Sequence, residues 1–338
     1  MPSPSLSDIA NRLGVSKMTV SRALRGEPHV RQDLRDTVLR TAEEMGYRPD
    51  PEIAKLMTHM RQARRTAAPR TLAFVWAERG EEELSRSAWS ALLIQGARAR
   101  AEHLGFRLDE FHLAAKGMNG RRLSEILEAR GIPGLILSPL ISRTRGYVAM
   151  KWDRFSSVVI GLGFARPALH RVHHHHYLGM LTALRQLVKL GYRRIGFFCP
   201  ATLSARMYEA WAACFLAHHP LPLAQAAELR CIAREPSRQE FRRWLETTRP
   251  EVVIDGGHSL LDWMEPDEVP ARLGYATLGW RPDMAHISGL DQQANVLGAA
   301  AVDLLVAQFQ QNERGIPTHP KMVMTEGRWV EGNTLRKP

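Results

Sequence analysis

Leu6, Ile9, Ala10 and Leu13 recur at the three- and four-residue intervals of one helix face, and Ser5 followed by Asp8 has the form of a capping box. The pattern predicts a helix opening near Leu6. Gly14 is the residue able to take the positive φ that ends it, and Ser16 is placed to cap a second helix whose apolar side is Val15, Val20, Ala23 and Leu24. A third period runs from roughly Asp33 to Met45 and brings Leu34, Val38, Ala42 and Met45 onto one face. Beyond it, Asp50 is a good N-cap and Pro51 suits a first helical position, so a short helix through Leu56 is locally encoded.

After Pro69 the texture changes to strand-like runs alternating with helical ones. TLAFVW (71–76) precedes an amphipathic helix from about Ala88 to Leu104 that stops at Gly105. Then come an FRLDEFHL strand, an LSEILEAR helix, a GLILSPL strand, a helical stretch around Gly146 to Phe155 and an SSVVIGL strand. A second series begins near Val172, with a helix from about Gly179 to Leu190, an RRIGFFC strand and a helix after Ala205. An ELRCIA strand, an EFRRWLETT helix and the strands EVVID and ATLGW follow. Such alternation predicts parallel sheets covered on both faces, here two doubly wound halves.

Composition narrows the class. The 338 residues are 44% hydrophobic, enough for a large core and more than one domain. No apolar run reaches membrane-spanning length and no signal-peptide pattern opens the chain, so a cytosolic protein with no membrane partner is expected. Cys199, Cys214 and Cys231 are scattered, which suggests neither a disulfide framework nor a zinc finger. The net charge of +11 favours a polyanionic partner. Residues 1–70 hold 13 Lys+Arg against 8 Asp+Glu, and six of those cations fall between Arg48 and Arg70.

Two short helices around the Gly14-Val15-Ser16 turn have the spacing of a helix-turn-helix, and the outward side of the second carries Lys17, Met18, Ser21 and Arg22. These side chains suit phosphates, a thymine methyl and a guanine edge. LSDIANRLGVSKMTVSRAL resembles, nearly position for position, the headpiece signature of the LacI/GalR family of bacterial transcription regulators. GYRRIGFF is similar to the family's GHRRIAFL stretch, SARMYEAW to its SxRxxGF stretch, and VLGAAAVDLL to its late crossover helix. The resemblance implies an all-α headpiece (1–49), a hinge helix and linker (50–70), and a periplasmic-binding-protein-like core (71–338). The core would have one subdomain at about 71–170 and 288–318 and another at about 171–287 and 319–338, with MVMTEGRWV crossing to the second. DNA contacts are expected from Ser5, Ser16, Lys17, Met18, Thr19, Ser21, Arg22 and Arg25. Ile53, Ala54, Lys55 and Leu56 would join them at the minor groove, Leu56 matching the family's wedging leucine.

The same resemblance places a ligand cleft between the subdomains, with Trp89, Arg206, His258, Trp280 and Arg281 as its lining. Gly161 stands near a family aspartate, Gly257-His258 near an Asn-Asp pair and Arg281 near another aspartate, so carboxylates are fewer than usual. That balance favours an acidic or modified carbohydrate over a neutral one. Several motifs point elsewhere and fall short. Gly161 and Gly163 lack the third glycine of a dinucleotide fingerprint, Arg166 standing there instead, and Ser259 lacks the second glycine of a nucleophile elbow, Leu261 standing there. His170 and His173 to His176 form a tract able to hold zinc or nickel adventitiously, in what the family makes a crossover loop. Arg61, Arg64, Arg65 and Arg70 suit either a nucleic-acid arm or a solvated linker. The expectation is a homodimeric, sequence-specific transcription regulator, by default a repressor, on a palindromic operator, with no cofactor and no enzymatic activity. The rival is a soluble ligand-binding protein or α/β enzyme without specific DNA binding.

Overall fold

The computed structural model describes residues 4–24, 31–47, 70–77, 87–140, 148–164, 166–257, 260–265 and 269–336. The chain divides into two compact units, Met1–Ala68 and Pro69–Pro338.

The first unit contains α1 (Leu6–Leu13), α2 (Lys17–Leu24) and α3 (Gln32–Glu44). The capping box forms at both ends: the Ser5 backbone N–H donates to Asp8 Oδ2 at 2.8 Å, and the Asp8 N–H donates back to Ser5 Oγ at 3.3 Å. Gly14 ends α1 at φ +63°, a conformation that disfavours any side chain with a Cβ. Ser16 Oγ then accepts from the Thr19 N–H at 3.1 Å and starts α2. Ile9, Ala10, Val20, Ala23, Val38 and Ala42 are buried together, with Leu6, Leu13, Val15, Leu24, Leu34 and Met45 packed around them.

The second unit is built on two sheets, each six-stranded among the described residues. The first sheet runs in the order β11 (Met322–Thr325), β5 (His170–His174), β4 (Ser156–Ile160), β3 (Gly134–Leu137), β1 (Arg70–Trp76), β2 (Phe106–His112), all parallel. The second runs β12 (Arg328–Val330), β10 (Gly289–Asp291), β9 (Gly274–Trp280), β8 (Val252–Asp255), β6 (Ile195–Pro200), β7 (Arg230–Ala233), parallel except where β12 meets β10.

Helices cover both faces of each sheet, because strands buried on both sides need apolar partners above and below. On the first sheet, α4 (Ala88–His103) and α11 (Ala294–Gln310) enclose Leu72, Phe74, Ile136, Val158 and Val172. The opposite face packs on α5 (Gly120–Ala129) through Leu123 and Leu127. On the second sheet, α6 (His176–Lys189) and α8 (Ala210–His218) enclose one core, while Phe241 and Trp244 of α10 (Arg238–Thr248) close the other. The helix after β6 is broken: α7 (Ala201–Arg206) ends before Met207–Glu209 and α8 starts anew, and a short α9 (Leu223–Glu228) precedes β7. Among the described residues no helix is long and apolar enough to cross a membrane.

Four sequence expectations need correction. The tract His170–His174 is not a crossover loop but strand β5, hydrogen-bonded between β4 and β11, so the first subdomain extends past Arg171 to His174. Gly289–Asp291, assigned to the first subdomain, pairs with β9 and β12 in the second sheet. Within MVMTEGRWV only β12 crosses over, since β11 stays beside β5. The expected helix at Gly146–Phe155 is, among its described residues, a single 3-10 turn at Trp152–Arg154. Its apolar residues Trp152 and Phe155 are buried as a loop filling the side of the first sheet, which needs no helix.

Gly96 of α4 and Gly298 of α11 let two backbones touch, since a Cβ on Gly96 would clash with the Asn295 carbonyl and one on Gly298 with that of Leu93. Gly96→Ala is therefore expected to lower the stability of the second unit by about 1–3 kcal/mol, the usual cost of overpacking. Denaturant unfolding followed by tryptophan fluorescence reads this, because all eight tryptophans lie beyond residue 70.

Candidate functional site

Each unit carries one candidate surface. On the first unit, α2 turns Val20 and Ala23 inward and leaves Lys17, Met18 and Arg22 exposed, with Thr19 and Ser21 half-buried. Met18 is 59% exposed, an apolar side chain on a helix that also exposes Lys17 and Arg22. Ser16 and Thr19 share a hydroxyl hydrogen bond of 2.8 Å, so Ser16 shapes the helix entrance as well as lining it. Ser5 is exposed at the start of α1, its hydroxyl donating to Asp8 at 2.7 Å; hydrogen bonds from the Ser5 backbone and side chain hold the Asp8 carboxyl below its usual range. The uncapped N–H groups at the start of α2 add partial positive charge to the same surface. Arg25, the hinge residues Ile53, Ala54, Lys55 and Leu56, and the cationic Arg61, Arg64 and Arg65 lie outside the described residues.

On the second unit, the residues that the resemblance assigns to a ligand cleft follow the carboxyl ends of parallel strands, where α/β sheets leave a crevice. Trp89 opens α4 after β1, Arg206 closes α7 after β6, and Trp280 ends β9. Arg206 reaches across to the first subdomain: a Cβ placed on Gly163 would lie 3.3 Å from Arg206 Cδ and 2.6 Å from the Leu140 carbonyl oxygen. Gly163 thus leaves room for the arginine stem, which accounts for this glycine without a dinucleotide, and no helix follows it. Trp89 is half-buried against the first-sheet core, and the half-buried Trp280 has its indole N–H without a hydrogen-bond partner among the described residues.

Arg281 differs from expectation. Its guanidinium binds Asp283 within one turn, Nε to Oδ1 at 3.1 Å and Nη2 to Oδ2 at 3.2 Å, which lowers the Asp283 carboxyl's pKa. Those donors are engaged locally, because a two-residue spacing lets the fork close on its own loop. Asp255, buried at the end of β8, is likewise committed: it accepts from the Gly257 N–H, the Leu260 N–H and the Tyr275 hydroxyl. His258 and Ser259 lie outside the described residues.

Sequence reasoning missed Ser204, Tyr208 and Glu209. Ser204 Oγ, on a residue buried in α7, donates a short hydrogen bond to Glu209 Oε2. Tyr208 and Glu209 hold φ of +52° and +58°. The available signal was the SxRxxGF resemblance, which has glycine where Glu209 stands.

Residues 5–50 match the family model described as Bacterial regulatory proteins, lacI family. The HTH-type transcriptional regulator AscG of Escherichia coli (strain K12) is 28% identical over 149 residues, covering 40% of this chain and 44% of that protein. The chain spans less than half the length of this curated relative. Among solved structures, a complex of the transcriptional regulator CelR with cellobiose superposes with a TM-score of 0.58 at 18% identity, covering 98% of this chain and 99% of that one. A lac repressor dimer bound to operator and the anti-inducer ONPF gives 0.53 at 15% identity, with the same coverage. At such identities these likenesses establish the fold: a helical amino-terminal unit and two parallel-sheet α/β subdomains.

Where the chain passes from β5 into α6, His173, His174 and His176 are buried. His173 Nδ1 donates to the His174 carbonyl at 2.6 Å, and the His176 ring meets those of His173, His174 and Trp211 at 5.8, 5.3 and 5.4 Å between centroids. Neither His174 nitrogen has a hydrogen-bond partner among the described residues. His170 is separate, bonded through Nε2 to Glu313 at 2.7 Å and accepting from the Lys321 N–H through Nδ1 at 2.8 Å. Among the described residues, no three His, Cys, Asp or Glu side chains converge in a way that would hold a metal ion.

Burial, reinforced by the neighbouring His173 and His175, pushes His174 down to about 4, and burial also lowers His173 and His176. The unfolded chain therefore takes up protons near pH 6.5 that the folded one refuses. Stability is full above that pH and falls as pH drops toward 4, by about 3 kcal/mol for His174 alone. Thermal unfolding between pH 7.5 and 4.5 should show the decline, and His174→Asn should make it shallower; a flat profile would mean the imidazoles have access to water.

Proposed function

Because residues 5–50 match the model of the lacI family of bacterial regulatory proteins, we propose that the chain is a cytoplasmic, sequence-specific DNA-binding transcription repressor of that family and not an enzyme. It binds a palindromic operator as a homodimer and responds to a small, carbohydrate-related effector in the cleft of its second unit. The observation that carries the reading is the capped α1–Gly14–α2 motif, which buries Val20 and Ala23 and leaves Lys17, Met18 and Arg22 outward. In this role Arg22 pairs bidentately with a guanine, Met18 packs on a thymine methyl, and Ser5, Ser16, Lys17, Thr19, Ser21 and Arg25 share phosphate and base contacts. Two headpieces per operator supply the discrimination that one small interface lacks. Trp89, Arg206, His258 and Trp280 contribute to the effector site, with Arg281 supporting its turn.

Selecting duplexes from a random pool with purified protein tests the reading: an imperfect palindrome should emerge, bound with steep salt dependence. Arg22→Ala should then lose about 1–3 kcal/mol at one symmetric position and relax its specificity. An unchanged ratio of operator to scrambled-DNA affinity would remove α2 from base readout. A pool that yields no enriched sequence would favour a ligand-binding protein without specific DNA binding.

The hinge reading rests on sequence alone, with Ile53, Ala54, Lys55 and Leu56 entering the minor groove. A leucine wedged between base steps kinks DNA, so Leu56→Ala should weaken operator binding and reduce the bend measured by circular permutation gel shift. Equal affinity and equal bend would restrict the segment to a linker.

A further inference from the structure

The turn between α7 and α8 holds two residues in a strained backbone conformation. Tyr208 and Glu209 both sit in the left-handed region, φ +52° and +58°, which is costly for residues bearing a Cβ. The Tyr208 N–H donates to the Ala205 carbonyl at 3.1 Å, the Glu209 N–H to the Ser204 carbonyl at 3.0 Å, and the Ala213 N–H to the Glu209 carbonyl at 2.8 Å. A glycine would make the same backbone bonds without strain. What glutamate adds is a carboxylate, and the structure specifies where it goes: Ser204, 1% exposed, donates its hydroxyl to Oε2.

That place is the carboxyl end of β6, where Arg206 crosses to Gly163 of the first subdomain. Charge around the buried Cys199 thiol maps the same neighbourhood. Burial raises its pKa, the negative charges of Asp255 and Glu209 raise it further, and Arg206 opposes them. Asp255 is spent on its own turn. Glu209 has three acceptor positions beyond the one Ser204 fills. Tyr208, 59% exposed, stands beside it.

We propose that Glu209 is the specificity-determining residue of this cleft: its carboxylate, pinned by Ser204 at the strand end that carries Arg206, fills the role a ligand anion would take. Phosphorylated and acidic ligands meet a like charge there, whereas neutral ligands bearing several hydroxyls meet no repulsion and find a carboxylate acceptor. This reverses the preference drawn from the substituted aspartates, because the carboxylate absent at those positions is supplied by the α7–α8 turn. The inference rests on the effector-cleft reading above.

Thermal shift and calorimetry on the full chain test both, using matched pairs: glucose with glucose 6-phosphate, galactose with galacturonate, sucrose with sucrose 6-phosphate. The wild type should be stabilised by at least one neutral member and by none of the anionic ones. Glu209→Gln keeps the shape and Glu209→Gly relieves the φ, so both should fold, and each should raise affinity for the anionic member of the responding pair at least tenfold. A wild type that prefers an anionic member, or variants whose selectivity matches it, would overturn the role of Glu209 while leaving the cleft in place, provided that Arg206→Ala abolishes binding. If no member of any pair binds, or binding is indifferent to Arg206→Ala, the cleft reading itself fails and the inference with it.

Discussion

The close approach of α4 and α11 is the constraint on which the second unit depends. The two helices lie about two hundred residues apart in sequence, yet the backbone of each occupies the space where the other's glycine would carry a Cβ, Gly96 against Asn295 and Gly298 against Leu93. Together they cover the first sheet, and Leu93, Ala97 and Ala101 of one share a core with Leu297, Ala301, Val302 and Leu305 of the other. The second sheet is built between them in sequence. Closing the first core therefore obliges the chain to leave the first subdomain, build the second and return, which produces crossings at His174–His176, Asp291–Ala294 and Thr325–Arg328.

Those crossings explain why buried imidazoles stand where a regular strand would carry valine or isoleucine. His174 fits against Gly179 at the start of α6 and Gly327 between β11 and β12; a Cβ on either glycine would come within 2.9 Å of the ring, and the side chain of Leu290 in β10 closes the same space. One side chain is thus packed against parts of all three crossings. A flat ring fills a space bounded by backbone on several sides, and its cost is two nitrogens held away from water, which is the origin of the low His174 pKa.

Features governed by neighbours in sequence were legible, and features created by neighbours in space were not. The capping box at Ser5, the Gly14 stop and the outward set of α2 follow from residues within one helical turn of each other, so reading them needs no tertiary information. The apolar runs of β1, β3, β4, β6 and β8 were equally plain, since strands buried on both faces declare themselves by hydrophobicity. HRVHH declares nothing of the kind and became a strand only because β4 and β11 flank it. The sequence suggests one helix after Ala205, whereas a helix at 201–206 ends before a second begins at 210; neither glycine nor proline marks that break, so the positive φ angles at Tyr208 and Glu209 are invisible in the sequence. At the candidate cleft, the position of Arg206 after β6 could be read from its motif, whereas the Arg281–Asp283 pair and the Ser204–Glu209 bond belong to side-chain geometry that no spacing encodes.

Any molecule held between the two subdomains can change their relation only by bending the three crossings, and these are not independent. Gln293, at φ +53°, donates its backbone N–H to the Asp291 carboxylate at 2.8 Å and its side-chain amide to the Glu326 carbonyl at 3.0 Å, tying the second crossing to the third. Gln292 donates to the Leu278 carbonyl at 2.7 Å and fastens the same segment to β9. The His175 N–H donates to the Thr325 carbonyl at 2.9 Å and joins the first crossing to the third. Three segments bonded to each other turn together as one axis, whereas three free segments would let each sheet shift separately.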